Sequence, residues 1–596
     1  MEKQLLYVYI DNFYGFQKQG FNFSTKEKFC VYGTETLILQ KQDMEKSFVE
    51  EFWGKSILNI NMLIGDNGSG KTTLMKIIIE WICCLSQGNL PQEKGILVFG
   101  QNDKIGYIAF EKGDKLDLSA DIPEAEEYSI SQVVEFTRGL QLLYFSNTMT
   151  DLNLSNDILS DCSLYQRIIK ANEDSKLSGK NIIENYNLME FRNQVDIALN
   201  RNVEDFPVYN LRMEVRHLEF ADIIQGQRGQ NITGDLIRLW EHYFGSGQDN
   251  NVSDGEQLVI ELLKTLLIGT IKHVLQCRKN EEKPIAKSGE MIECYNRICT
   301  EGKIEEGIEC IKHFLKDLIL DNISNIGRGK KINDILRFVN LLQSGVRNAD
   351  DWLSGMGEFS SDRKGNIVVR IDIGSDNREK FKSFWEAYKG VMIYMETVSF
   401  SWIASSGERN WVSLFSVLTS VSGENFWLFL DEPDNTLHPD WQRTLLDKII
   451  EACNGGNYKG KKVQIWISTH SPIMLSDMPG NSVTYLDNKT NMGRQIEETF
   501  GQNIYALFNH AFVLHDGVIG TFASKKIEEV MDRLQNIERG LLERENASHN
   551  SDEISSDLEY CETIAELLAE PLFKRYFMDS IAKMKELQNR KRVQQE

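Results

Sequence analysis

What the sequence lacks narrows it first. No apolar run approaches the roughly 20 residues that a membrane helix needs, so no membrane partner is expected. The opening MEKQLLYVYIDNF has few basic residues and an acidic one inside its apolar stretch, which is not a signal-peptide layout. Ten cysteines, including the adjacent Cys83 and Cys84, follow no regular disulfide spacing and suit a reducing compartment. A cytoplasmic location is therefore expected. Sustained heptads are missing, which argues against a long coiled coil, and no tandem repeat is visible. Positive charge is short too: 66 Lys and Arg against 88 Asp and Glu leave a net charge of −22. That balance argues against a surface coated with nucleic acid. It leaves room for one local basic groove, because binding follows charge placement rather than the total.

What is present fits a folded protein of more than one lobe: 596 residues, 41% hydrophobic and 10% aromatic. LLYVYI and the aromatic FYGFQKQGFNF read as strands joined by Gly turns, and SILNINMLIG (56–65) as an apolar strand. KTTLMKIIIEWICCL continues as a helix; GILVFG and IGYIAFEK look like paired strands, and LQLLYFSN (140–147) is another. From about 150 to 365 helical periodicity takes over, as in GDLIRLWEHYF, EQLVIELLKTLLIGTIKHVL and EGIECIKHFLKDLIL. Strand signals return at 366–373, 395–402, 425–432 and 462–469, and a helical stretch runs from about 522. The expected architecture is an α/β head split by a large, mainly helical insertion. Its parts are 1–150 and 366–527 for the two halves of the head, 151–365 for the insertion, and 528–596 for a C-terminal helical segment.

GDNGSGKT at 65–72 has the P-loop pattern, between an apolar strand and a helix. Gly65, Asn67, Gly68, Ser69 and Gly70 would curl backbone amides around a phosphate, with Thr73 in the helical turn that follows. Lys71 would bridge the β- and γ-phosphates of ATP, and Thr72 would ligate Mg²⁺. FWLFLDEPD (426–434) sets Asp431 at a buried strand end, suited to hold Mg²⁺, and Glu432 beside it to polarise the attacking water. His470, closing KVQIWISTH, would reach the γ-phosphate; the bland alternative is a satisfied core histidine.

Two turns compete for a third role. ASSGERNW (404–411) lies in a strand-loop-helix that ends about ten residues before the Asp-Glu strand, so Ser406 and Gly407 would stand at a helix N-terminus facing an anion. SDGEQ (253–257) is more than 170 residues upstream and reads as a plain helix N-cap, with Ser253 or Asp254 capping EQLVIELL. The first is taken as functional.

P-loop, SSGE turn, DEPDNTLHPDWQ and STHSP, in that order, resemble the ABC-type ATPase heads of the SMC/Rad50/RecF group. The likeness is nearest to the ATPase half of OLD-family nucleases and the ATPases of Septu-type anti-phage systems. LLYVYIDNFYGF and 499–527 look like the same subgroup, so the resemblance covers roughly half the chain, at both ends. It implies that the α/β head is a P-loop NTPase of ABC type with a mixed sheet, and a head-to-head dimer with two ATPs held between the P-loop of one subunit and the SSGE turn of the other. Carried over, Asp431 is the Walker B carboxylate, Glu432 the general base, Ser406 and Gly407 the signature contacts, Asp434 and Asn435 the D-loop and His470 the switch histidine. Glu408 and Arg409 depart from the usual Gly-Gln, Arg409 being the less expected, and Gln141 is the candidate for the Q-loop glutamine. The distance from P-loop to signature separates the chain from transporter ATPases.

Only about 70 residues follow 527, too few for the OLD nuclease domain, so a separately encoded effector such as a nuclease is the expected load. The basic loop NIGRGKKINDILR, with Arg328, Lys330, Lys331 and Arg337, could meet a DNA or RNA backbone but reads more often as a solvated helix-helix connection; Arg590, Lys591 and Arg592 have a weaker claim, and the contact is not located. Cys294, Cys299, Cys310 and His313 lack the Cys-x2-Cys knuckle of a zinc site and read better as helix packing. Two function classes stand: an ATPase regulating an anti-phage effector, and a RecF-like repair clamp acting directly on DNA. Acidic charge and the absence of long coiled coil favour the first. A pseudo-ATPase scaffold is disfavoured by intact Lys71, Asp431 and Glu432.

Overall fold

The computed structural model describes residues 2–33, 37–43, 49, 51–116, 118–149, 152–174, 182–200, 210–216, 254–277, 304–322, 328–347, 356–361, 366–374, 378–419, 423–455, 458–486, 493–495, 499–504, 506–507, 520–542 and 551–595. The chain forms two compact units, 1–501 and 502–596.

The first unit is built around a seven-stranded sheet. Its spatial order is Leu159–Ser163, Leu140–Ser146, Asn425–Asp431, Lys462–Ser468, Ile57–Gly65, Val483–Leu486 and Gly493–Gln495, parallel except for the last pair. The Asn425–Asp431 strand is buried at every residue, the continuous apolar run expected of a parallel strand covered on both faces. The opposing layer is a largely antiparallel sheet containing Lys3–Phe13, Phe16–Asn22, Gly95–Gln101 and Lys104–Glu111.

Between the two sheets lies the helix Lys71–Ser86, apolar almost all round because it has core on both sides. Leu74, Ile78 and Trp81 share one cluster with Leu5 and Val8 of the antiparallel sheet and with Tyr144, Trp427 and Trp466 of the seven-stranded sheet. The buried Gln464 amide ties the layers: it accepts from Leu5 N and donates to Leu5 O, both at 2.8 Å. Those bonds satisfy Leu5 where strand pairing slips between Leu5 and Tyr7.

The insertion has its own core. Helices Ile182–Asn200, Asp254–Cys277, Ile304–Asn322 and Arg328–Arg347 bury Leu199, Leu262, Leu266, Leu315, Ile319 and Phe338 in one cluster. Two boundaries differ from expectation. Strands Ile367–Asp372 and Val398–Trp402 do not enter the head sheet; they join Asn210–Val215 and Glu358–Ser361 in a four-stranded sheet packed with the insertion helices. Alternating IVVRID declares a half-buried strand but not its partner sheet. In the other direction, Leu159–Ser163 belongs to the head sheet although it lies beyond residue 150.

The second unit begins at Gln502 rather than near 528. Its helices Thr521–Leu542, Ser551–Leu567 and Pro571–Gln595 bury Val530, Leu534, Leu558, Cys561, Phe577 and Ile581 against one another. The GDLIRLWEHYF segment and, within 499–527, residues 505 and 508–519 lie outside the described residues. Among the described residues no helix is long and apolar enough to cross a membrane.

Candidate active site

Four parallel strands end together. Ser146 pairs with Asp431, Asp431 with Ser468, and Ser468 with Leu63, two residues before Gly65. The carboxyl edge of the sheet therefore assembles residues as much as 400 positions apart. It is the edge where open α/β sheets bind ligands. The His470 strand lies between the P-loop strand and the Asp431 strand, so His470 emerges between Lys71 and Glu432.

The P-loop geometry fits a phosphate. Gly65 has φ 143°, and a Cβ there would stand 2.1 Å from Leu486 O, so only glycine lets the loop leave the strand. Gly70 caps the helix at φ 95°. Asp66, Asn67 and Gly68 are exposed, while Thr72 and Thr73 are half-buried on the first helical turn. Ser69 is buried and its Oγ has no hydrogen-bond partner. Lys71 is buried and donates to the carbonyls of Gly65 and Asp66, each at 3.0 Å. Burial lowers its pKa to about 8, against the opposing pull of Glu432, Asp431, Asp66 and Asp434.

Asp431 receives three hydroxyls. Thr72 Oγ1 lies 2.9 and 3.0 Å from its two oxygens, Tyr144 donates to Oδ2 at 2.9 Å, and Ser468 donates to Oδ1 at 2.6 Å. Thr72 and Asp431 thus bring together hard oxygen donors of the kind Mg²⁺ takes. Glu432 adopts φ 49°, a left-handed conformation that costs roughly 1–3 kcal/mol and is typical of functional sites. Its amide is held by Ser468 Oγ at 2.9 Å and Ser468 O at 3.2 Å. His470 Nε2 is 3.4 Å from Glu432 Oε1, and this contact holds the glutamate below the usual carboxylate pKa. Glu432 is therefore ionised at neutral pH and able to accept a proton. Asp434 is buried, which raises its pKa; Thr469 donates to its Oδ2 at 2.8 Å, while Oδ1 has no partner.

The SSGE turn opens the helix Ser406–Thr419. Ser405 Oγ accepts from Glu408 N at 3.3 Å and Glu408 Oε2 accepts from Ser405 N at 2.6 Å, a reciprocal capping box. Glu408 is thereby half of the helix cap. Arg409 donates to Ala404 O through Nε and Nη2, at 3.3 and 3.2 Å, and Asn410 donates to Asn435 O and Thr436 Oγ1. Ser406 is exposed, whereas Gly407 is pressed on the segment after Glu432: a Cβ there would sit 3.0 Å from Thr436 O.

Sequence reasoning missed several residues. Tyr144 and Ser468 look like ordinary members of apolar strands until the register puts them beside Asp431. A polar network also joins the insertion to the helix Ser406–Thr419. Ser413 donates to Glu190 at 2.6 Å and accepts from Gln194 at 3.0 Å, while Arg167 links Glu190 to Asn147 at 2.8 and 2.9 Å.

Two placements need correction, that of Gln141 and that of the basic segment 325–337. Gln141 pairs with Phe426 at the opposite end of its strand, five residues or about 17 Å from Ser146, so it is no Q-loop ligand. Arg328, Lys330, Lys331 and Arg337 are not in a loop: they lie on the helix Arg328–Arg347, whose Ile332, Ile335, Phe338 and Val339 supply a buried face that the glycine at 329 does not interrupt. SDGEQ opens the helix Asp254–Cys277, with Ser253 itself outside the described residues. Cys310 and His313 lie on one helix, Cys294 and Cys299 lie outside the described residues, and no metal-ligand cluster occurs among the described residues.

A phosphate-binding loop, a strand-end carboxylate and an adjacent glutamate on one parallel-sheet edge define an α/β P-loop ATPase. Comparison with known families agrees: residues 395–476, spanning the SSGE turn through His470, match an AAA domain model described as AbiEii toxin-like, of type IV toxin–antitoxin systems. No curated protein matches the chain. The chain thus carries an AAA/ABC-type ATPase domain, which implies nucleotide binding.

Proposed function

We propose that this protein hydrolyses ATP to ADP and phosphate with Mg²⁺, dimerises head to head around the nucleotide, and through that cycle regulates a separately encoded effector in anti-phage defence. The observation that carries the reading is the meeting of Lys71, Thr72, Asp431, Glu432 and His470 on one sheet edge. Lys71 supplies positive charge to the phosphates, Glu432 accepts the proton of the attacking water, and His470 orients Glu432. Thr72 and Asp431 would hold Mg²⁺, which neutralises charge developing on the phosphate oxygens. Support for the dimer is the exposed Ser406 at the N-terminus of a 14-residue helix, a ready anion site for a partner's nucleotide. The toxin–antitoxin description of the matching model, together with the resemblance to Septu-type ATPases, supports the defence role.

Phosphate release by the purified chain, alone, with its genomic neighbours and with duplex DNA, tests this. Turnover that responds to a co-purifying protein is expected. Strong stimulation by bare DNA would favour the repair-clamp reading, and no turnover in any mixture would reject both.

A further inference from the structure

We propose that Ser468, assisted by Tyr144, is a positioning residue that sets Asp431 and Glu432 as one unit. The inference rests on the ATPase reading above and deepens it. Ser468 ends the strand beside that of Asp431, paired with it in register, and is fully buried. Its single hydroxyl accepts from Glu432 N at 2.9 Å and donates to Asp431 Oδ1 at 2.6 Å. It therefore couples the backbone of the proposed base to the carboxylate that would face Mg²⁺.

Tyr144 acts from the strand on the other side and donates to Oδ2 at 2.9 Å. Each carboxylate oxygen has one donor fixed by a flanking strand, and both oxygens remain turned toward Thr72. The rotation of Asp431 is thus fixed by two neighbours that are themselves fully buried. Glu432 needs the same support, since its left-handed φ of 49° persists only where the surroundings hold it. A buried serine at a strand end has a plainer alternative, that it only satisfies its own hydroxyl. Two bonds to two different functional residues favour the positioning role.

The test is a Mg²⁺ titration of fluorescent ATP-analogue binding to the full-length protein, with phosphate release measured in parallel. For Ser468→Ala we expect the Mg²⁺ midpoint to rise and kcat to fall, each about 10–100-fold, the usual effect of losing a hydrogen bond to a metal-facing ligand. Binding in EDTA should be unchanged, because the P-loop is untouched. Ser468→Thr keeps the hydroxyl and should restore both readouts; Tyr144→Phe should raise the Mg²⁺ midpoint by a smaller factor. Wild-type Mg²⁺ dependence and kcat in Ser468→Ala would overturn the proposal. So would an equal loss of affinity in EDTA, or a Ser468→Thr variant as impaired as Ser468→Ala. A wild-type protein that binds the analogue with no Mg²⁺ dependence would overturn this inference alone, whereas one that binds no analogue would remove the ATPase reading and the inference with it.

Discussion

Ser405-Ser406-Gly407-Glu408 and Ser253-Asp254-Gly255-Glu256 are nearly the same four letters, and each stands at the start of a helix. Their surroundings differ. Gly407 is pressed to within 3.0 Å of Thr436 O by any added Cβ, beside the segment that follows Glu432, while a Cβ on Gly255 would meet open space. The helix after Gly255 buries Leu258, Leu262 and Leu266 in the insertion core. The helix after Gly407 leads from an exposed Ser406 and is braced by Glu190 and Gln194 through Ser413. A short motif takes its meaning from what it is pressed against. Changes on the nucleotide edge should alter chemistry, and changes at the insertion turn should alter only stability.

The largest effect that sharpens this contrast is expected from Lys71→Ala, which should abolish ATP binding in calorimetry and turnover with it, leaving the fold intact. Glu432→Gln should retain binding and slow single-turnover hydrolysis by roughly 10²–10⁴-fold, the worth of a positioned general base. Next comes the direct comparison of turns. Ser406→Arg should block ATP-dependent dimerisation in light scattering while leaving ATP binding in place. Ser253→Arg, at the N-cap that the sequence pattern expects, should leave dimerisation alone and cost about 1 kcal/mol of stability in denaturant. Equal loss of dimerisation at both would erase the distinction.

Acidity gives a smaller effect confined to the edge. With its pKa at about 8, Lys71 is charged below that pH and loses its proton above it. Phosphate binding favours the charged form, so ATP affinity should be flat below pH 7 and fall roughly tenfold by pH 9. An affinity independent of pH across that range would place Lys71 outside the phosphate site. The smallest effect is on the glycines: Gly255→Ala should stabilise the protein by up to about 1 kcal/mol. Gly407→Ala should gain nothing and should weaken dimerisation.

The legible parts of the site are those where chemistry fixes residue type and spacing. A phosphate needs glycines and a lysine beside a helix start, so 65–72 can be read directly, as can Asp431 and Glu432 after five apolar residues. Tyr144 and Ser468 are not legible in the sequence, because their role depends on the register of neighbouring strands, 287 residues from Asp431 in the case of Tyr144 and 37 in the case of Ser468. Gln141 was chosen by residue type, and strand geometry put it at the wrong end. Glu408 looked like a departure from a family pattern and proves to be half of a local cap. In the fold, strands and helices were visible from periodicity, but 367–372 and 398–402 join a sheet with the insertion, a pairing that alternation alone does not encode.

The central claim is that this edge closes around ATP with a second copy of itself. Native mass spectrometry of Glu432→Gln, expressed with its genomic neighbours and purified in ATP and Mg²⁺, addresses it most directly. The account predicts a species holding two chains and two nucleotides, with any effector bound to that dimer. A nucleotide-free monomer under the same conditions would contradict it.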